Sequence, residues 1–310
     1  MKATRDGYGE ALVELGGRNR NIVVLDADLA DSTRTGMFAK LYPERFFNAG
    51  IAEQNMVNMA VGLSLCGKTV FVSSFAIFAT GRAWEQLRNS VAATRANVKI
   101  VASHGGITVG EDGLSHQCVE DISIVRTIPN FFVVVPCDWM EAKKAVMAAA
   151  ELKGPVYIRT SRPKTEILTG EDTPFSIGSA IRMRGGEDVS IFSCGIMLGK
   201  ALKAAEGLAK EGIKAAVWNM HTIKPLDSNA VIDAARQTGA LVTVEEHSII
   251  GGLGSAVAEL VVRECPVPVE IVGVRDQFGQ SGRPEELLRK YGLTAEEICK
   301  AAKRAVSRKN

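Results

Sequence analysis

The sequence predicts an α/β protein of two doubly wound units, and three observations carry that expectation. Short β-branched runs alternate with amphipathic stretches, the pattern of parallel strands joined by crossover helices. The strand-like runs are apolar on both faces, as strands covered by helices on either side must be. The whole pattern occurs twice, with a stretch lacking either periodicity between the two series.

In the first series, strands are expected at Ile22–Leu25, Thr69–Ser73, Val98–Ala102, Phe131–Val135 and Val156–Thr160. Apolar spacing at i, i+3, i+4 and i+7 places helices near 6–18, 52–66, 79–94 and 138–152. From Pro163 to Ser176 the chain reads PKTEILTGEDTPFS, with two prolines, a glycine and no period, which suits a linker. The second series has strands at Val189–Ser193, Ala215–Trp218, Leu241–Glu245 and Ile271–Val274, and helices near 197–211, 228–237, 253–264 and 284–307. The expected division is a domain over 1–165, a linker over 166–177 and a smaller domain over 178–310.

Composition narrows the function. The 310 residues are 46% hydrophobic and 23% charged, which excludes disordered and fibrous classes. Lys and Arg number 37 against 35 Asp and Glu, and no block of like charge occurs, so no nucleic-acid or anionic-lipid partner is expected. Cys66, Cys118, Cys137, Cys194, Cys265 and Cys299 form no Cys-x-x-Cys and read as reduced, mostly buried thiols. The opening MKATRDGYGEALVEL is charged throughout and no run of 18 apolar residues follows, so the expected location is cytoplasmic, with no membrane partner.

In doubly wound sheets ligands sit beyond the carboxyl ends of strands, so the residues following each strand are the ones to inspect. His104 and His116, two of four histidines, share the segment HGGITVGEDGLSHQ after the third strand. Its four glycines let His104, Glu111, Asp112 and His116 turn toward one small polar ligand; the same composition also suits a surface loop with locally bonded histidines. The spacing of the histidines matches no zinc motif, and no metal site is expected. Glu53 opens a helix in NAGIAEQNMVNM, where the dipole favours a carboxylate. A carboxyl among apolar neighbours would instead have a raised pKa and share a proton with a heterocycle nitrogen. Phe75 and Phe78 in SSFAIF follow a strand and offer either a stacking face or core. Arg5, Ser32, Arg159 and Arg162 stand at segment edges, placed to grip a phosphate or simply solvated. GGLGS at Gly251–Ser255 lacks the third glycine of a dinucleotide loop and reads as a tight strand-to-helix turn, while His221 and His247 are expected to be structural.

Taken together, GIAEQNM, SSFAIF, HGGITVGEDGLSHQ and PVYIRTSR resemble the C-terminal half of transketolases, a pyrimidine-binding domain followed by a small C-terminal domain. GEDGLSHQ is close to the family's GEDGPTHQ. The resemblance implies thiamine diphosphate as cofactor and transfer of a two-carbon ketol unit from a ketose phosphate to an aldose phosphate. It implies that Glu53 contacts the aminopyrimidine nitrogen, that Phe75 and Phe78 pack on that ring, and that Asp28 borders the cofactor. His104 and His116 match catalytic residues of the substrate channel, Asp112 recognises a sugar hydroxyl, and Arg5, Ser32 and Arg162 match the phosphate grip. Arg159, alternating along the same strand as Tyr157, is expected to point the other way and pair with an acid.

The departure from the family pattern is as informative. Transketolases hold the diphosphate through Mg²⁺ on a GDG motif and a later Asn, and this sequence has no GDG. The chain is then either one subunit of a split transketolase or a fragment, and the expectation is the former, in which an N-terminal subunit carries GDG and the Mg²⁺, the cofactor is shared, and the assembly is a heterotetramer. Three alternatives stand beside it. Deoxyxylulose-phosphate synthases have DRAG where this chain has SHGG, dehydrogenase beta subunits lack a GEDGLSHQ-like loop, and a non-catalytic subunit would have no need of Glu53, His104, Asp112 and His116 together.

Overall fold

The computed structural model describes residues 1–309, so the expected domain end at 310 lies outside the described residues. The chain begins with β1 (Lys2–Ala3), α1 (Thr4–Arg18), β2 (Ile22–Asp26), α2 (Ala30–Thr33), α3 (Gly36–Leu41), β3 (Phe46–Asn48) and α4 (Glu53–Leu65). It continues through β4 (Thr69–Phe75), α5 (Trp84–Gln86), β5 (Val98–Ser103), α6 (Asp121–Thr127), β6 (Phe132–Val134), α7 (Trp139–Glu151), β7 (Val156–Arg159) and β8 (Lys164–Thr165). The second unit holds β9 (Ile181–Arg184), β10 (Val189–Ser193), α8 (Leu198–Lys210), β11 (Ala215–Asn219), β12 (Thr222–Lys224), α9 (Ser228–Thr238) and β13 (Leu241–Ser248). It ends with α10 (Leu253–Glu264), β14 (Val269–Val274), α11 (Pro284–Lys290) and α12 (Ala295–Ser307).

Two sheets result. The larger has the order β12-β6-β7-β5-β4-β2-β3 and the smaller β14-β13-β10-β11-β9. Within these two sheets every pairing is parallel except those of the edge strands β12 and β9, and β1 and β8 form a separate two-stranded ribbon. Strands β2, β5, β7 and β10 are buried at every residue, which explains why the sequence reads as continuous apolar runs there. One face of the large sheet is covered by α1 and α7, whose Tyr8, Leu12, Ala145 and Val146 are fully buried. The two helices approach closely because residue 7 is a glycine: a Cβ there would stand 2.1 Å from the Trp139 carbonyl oxygen. On the other face, Met56, Val57, Leu87 and Val125 share one continuous core with Phe192, Leu253 and Val257 of the second unit.

Several expectations need correction. The helix expected over 79–94 is two π-helical turns, Phe78–Arg82 and Leu87–Ala92, on either side of α5. Apolar periodicity does not separate α from π turns over so short a span. The helix expected over 284–307 breaks where Gly292 takes a φ of +73° and Thr294 caps α12 by accepting from Glu297 N. The stretch expected to lack structure contains β8, which pairs antiparallel with β1. The linker after it is fastened down: Asp138 accepts from the amides of Leu168 and Thr169 at 2.6 and 2.7 Å, and Lys144 donates to three of its carbonyls. Elements α2, α3, β3, β9 and β12 are too short to show a period and do not appear in the sequence reading. All six cysteines are free, with Cys118, Cys137 and Cys194 buried but Cys66 exposed.

Candidate functional site

Because β2, β4, β5 and β7 run parallel, their carboxyl ends lie along one rim, and the loops leaving them converge. The loop after β2 is organised by Asp26. Its buried carboxylate accepts from the Leu29 amide and from the hydroxyls of Thr33 and Thr35 at 2.7 and 2.8 Å. That frame holds Ser32 and Arg34 toward the site. Asp28, with a φ of +64°, is exposed and pairs with Asn48 at 3.1 Å.

After β4, the Phe75 and Phe78 rings stack with centroids 5.8 Å apart. Phe75 also stacks on His104 at 3.9 Å, and His116 meets Phe78 edge-on at 5.4 Å. His104 follows β5 with a φ of +61°, a conformation that a residue with a side chain adopts at a cost, and which is concentrated at functional sites. Arg5 Nη1 lies 3.5 Å from His104 Nε2 and donates to the Ser32 carbonyl at 2.9 Å. A guanidinium only donates, so Nε2 is the acceptor and Nδ1 carries the proton, 2.9 Å from Ser103 Oγ. Burial, followed by the charges of Arg5, Arg162, His116 and Arg34, holds the His104 pKa down at about 3, so the ring is neutral.

The site is electropositive. Arg5 itself has its pKa lowered by burial and by Arg34, and its Nε has no hydrogen-bond partner among the described residues. Arg162 donates to the Val109 carbonyl and lies 3.4 Å from Asp112 and 3.8 Å from Glu111, both of them exposed. The glycine-rich loop is thus drawn partly to Arg162; its two histidines reach the site but its two acids stay at the surface. Gly106 (φ +87°) lets the loop pass over the second unit, where a Cβ would stand 2.3 Å from the Glu246 carboxyl. Glu246 in turn accepts from the Thr108 amide at 2.7 Å.

Glu53 begins α4 and is 4% exposed. The apolar surround considered for it is not what the structure shows: Arg82 Nη1 donates to its Oε1 at 2.9 Å, and the same guanidinium lies 4.0 Å from the Phe78 ring centroid. The rim therefore carries an unbroken line of contacts, Glu53–Arg82–Phe78–Phe75–His104–Arg5. Ser32 enters it through its carbonyl and not its hydroxyl. Sequence reasoning missed Asp26, Arg34, Arg82 and Ser103; for Arg82, the Phe78-to-Arg82 spacing of one helical turn was the available signal.

Arg159 turns away from this rim. Its Nε donates to Asp121 at 2.8 Å and its Nη2 to the carbonyls of Cys118 and Glu246, which ties the two units together. In the second unit the turn at Gly251–Ser255 is filled from within, as Glu245 accepts from the Leu253 and Gly254 amides at 2.7 and 2.8 Å. His247 donates to the Ser248 carbonyl and accepts from the Ser123 amide, and His221 stacks on Phe175 at 4.4 Å; both are buried between the units.

Residues 1–166 match the family described as transketolase, pyrimidine binding domain, and residues 178–298 that described as transketolase, C-terminal domain. A protein of Methanocaldococcus jannaschii named "Putative transketolase C-terminal section" is 52% identical, covering 96% of this chain and 95% of its own length. The 6-deoxy-6-sulfo-D-fructose transketolase subunit SqwH of Clostridium sp. (strain MSTE9) is 44% identical, covering 99% and 95%. A solved structure described as a split gene transketolase, inactive beta4 tetramer, superposes with a TM-score of 0.94 at 50% identity, with both chains fully covered.

Proposed function

The chain belongs to the transketolase family, and from that premise we propose that it is the C-terminal subunit of a split transketolase, transferring a two-carbon ketol unit between sugar phosphates. In this reading 1–165 is the pyrimidine-binding domain, 166–177 the linker and 178–310 the C-terminal domain, and the protein works in the cytoplasm. Among the described residues no helix is long and apolar enough to cross a membrane.

The observation that carries the reading is the pairing of a buried carboxylate with an accessible aromatic face. Arg82 demonstrates that a flat nitrogen-bearing group resting on Phe78 stands within hydrogen-bond reach of Glu53. Those residues fit the aminopyrimidine of thiamine diphosphate, with Phe75 behind Phe78 and Asp28 at the border. The sequence has no GDG, so in this reading a partner that carries GDG holds the Mg²⁺ and shares the cofactor.

Bound thiamine diphosphate supplies the electron sink for breaking the carbon–carbon bond. Glu53 holds a proton at the ring nitrogen, as a positioned general acid/base. His104 presents a neutral ring whose Nε2, now 3.5 Å from Arg5, accepts a hydrogen bond from a sugar hydroxyl once Arg5 turns to the anion, and His116 lies across the Phe75–Phe78 pair from it. Arg5 and Arg162 grip the terminal anion through charge-assisted hydrogen bonds, with Ser32 orienting Arg5 and Asp112 meeting a sugar hydroxyl.

A relative at 44% identity is named for a sulfonated sugar, so a sulfonate in place of the phosphate is a second reading of the same grip. Both are separated by assaying the assembled enzyme on sulfonated and phosphorylated ketoses of equal length. In that assembly Glu53→Gln is expected to lower kcat by about 10² to 10⁴. Turnover unchanged at saturating cofactor would remove the general acid/base role.

A further inference from the structure

The cofactor reading gives work to Glu53 and Phe78 and none to Arg82, which touches both. A guanidinium is planar and delocalised, stacks on aromatic faces and donates within its own plane. An aminopyrimidine shares the flatness and the N–C–N edge. Phe78 has one accessible face and Glu53 one buried carboxylate, so the guanidinium as placed and a stacked heterocycle exclude one another. We propose that Arg82 is a resident placeholder: in the cofactor-free chain its guanidinium occupies the position of the pyrimidine ring, and it must swing out before the cofactor binds.

Three features support this. Glu53, at 4% exposure, would be a costly unpaired charge in the empty site, and Arg82 supplies its counter-charge. The turn that carries both Phe78 and Arg82 is π-helical, which places residues four to five apart on one side and sets the guanidinium over the ring. The Arg82 side chain is 49% exposed and preceded by the exposed Gly81, so it can leave toward solvent without unpacking the core. Arg82 in this account is a gate and takes no part in the chemistry.

The inference rests on the cofactor reading, and the test keeps the two apart. Thiamine is the probe, because it carries the pyrimidine without the diphosphate end that needs the partner. Thermal unfolding of the full chain is followed with and without millimolar thiamine. Arg82→Ala is expected to bind thiamine on the order of ten times more tightly than wild type, and so to show the larger thiamine-induced rise in midpoint, although its ligand-free midpoint is lower. A rise equal to or smaller than that of wild type, or none, overturns the placeholder. Arg82→Gln, which removes the guanidinium from Phe78 while keeping an exposed helix-forming side chain, takes its place where the alanine variant does not unfold cooperatively, with the same expectation and the same reversal. The double variant Glu53→Gln/Arg82→Ala should lose the response. If the response survives there, the cofactor reading of Glu53 fails; if it is lost there but is no larger in Arg82→Ala than in wild type, only the placeholder does.

Discussion

At the scale of single residues, the proposed anion grip and the maintenance of the fold fall to different arginines, two of them close together in sequence. Arg162, beyond the end of β7, faces the rim at 37% exposure, while Arg159 is buried on Asp121 as its expected pairing with an acid requires. Arg159 does not point the other way from Tyr157, because residues two apart share a face of the strand and both bond Asp121. If Arg5 and Arg162 hold the terminal anion, each alanine variant should lose about 1.5 to 3 kcal/mol of binding, roughly tenfold to more than a hundredfold in kcat/KM on a ketose phosphate. Hydroxypyruvate, which has no phosphate, should be much less affected. Equal losses on both donors would assign these arginines to the fold or the cofactor, which is the outcome expected for Arg159→Ala. His104 supplies a pH test. Its folded pKa, about 3, lies below the ordinary histidine value, so protons bind the unfolded chain preferentially as pH falls, and stability present above about 6.5 is lost toward 3. Denaturant titrations should show His104→Asn, a residue that tolerates the left-handed backbone, losing up to about 2 kcal/mol less than wild type between about pH 7 and 5. Parallel losses would place the acid sensitivity elsewhere, with buried His221, held down at about 4, as the next group to replace.

At the scale of elements, what the sequence makes legible is whatever repeats for more than two turns or is buried on both faces. Strands β2, β4, β5, β7, β10, β11, β13 and β14 and helices α1, α4, α7, α8, α9 and α10 all coincide with apolar runs or stripes. The motif loops were legible for a different reason, as clusters of His, Gly and acid directly after such strands. Asp26 was hidden because its partners are set by loop geometry that no period encodes, and Arg82 because its one-turn spacing from Phe78 is a single pair and not a repeating stripe. The turn before α10 shows the reverse case, a weak motif with a structural answer: Glu245 takes the two amides that a phosphate would need. Glu245→Ala leaves both buried amides without an acceptor at about 1 to 3 kcal/mol each, and should lower stability by about 2 to 6 kcal/mol without creating a nucleotide site. Equilibrium unfolding with and without a dinucleotide measures both. A ligand-dependent stabilisation of the variant would mean that the turn is an anion site after all.

At the scale of the whole molecule, the proposed function makes the site half of something larger. Ile51 beside Glu53 is 76% exposed, Trp84 beside Arg82 is 44% exposed and Leu114 in the glycine-rich loop is 58% exposed, so apolar surface surrounds the very residues assigned to cofactor and substrate. A partner domain that holds the diphosphate and Mg²⁺ would close over that rim, covering the apolar side chains and displacing water from Glu53 and His104 in the same step. On the proposed function the chain supplies the pyrimidine face and the anion grip, and the partner holds the diphosphate; a related structure is described as a split gene transketolase, inactive beta4 tetramer. On the split-subunit reading the isolated 310-residue chain should show no ketol transfer. A subunit carrying GDG should convert it to an active complex of two copies of each chain. Native mass spectrometry and a coupled assay on the same samples decide the matter. Robust turnover by the chain shown free of any partner would sink the split-subunit reading, and full activity in a one-to-one complex would remove the two-plus-two assembly. Ile51→Asp separates a covered rim from a solvated one: it should impair activation by the partner while leaving the chain folded, because it places a charge where the partner is expected to bury an apolar side chain. Activation by the partner at the wild-type concentration would show that the rim stays open to solvent in the working enzyme.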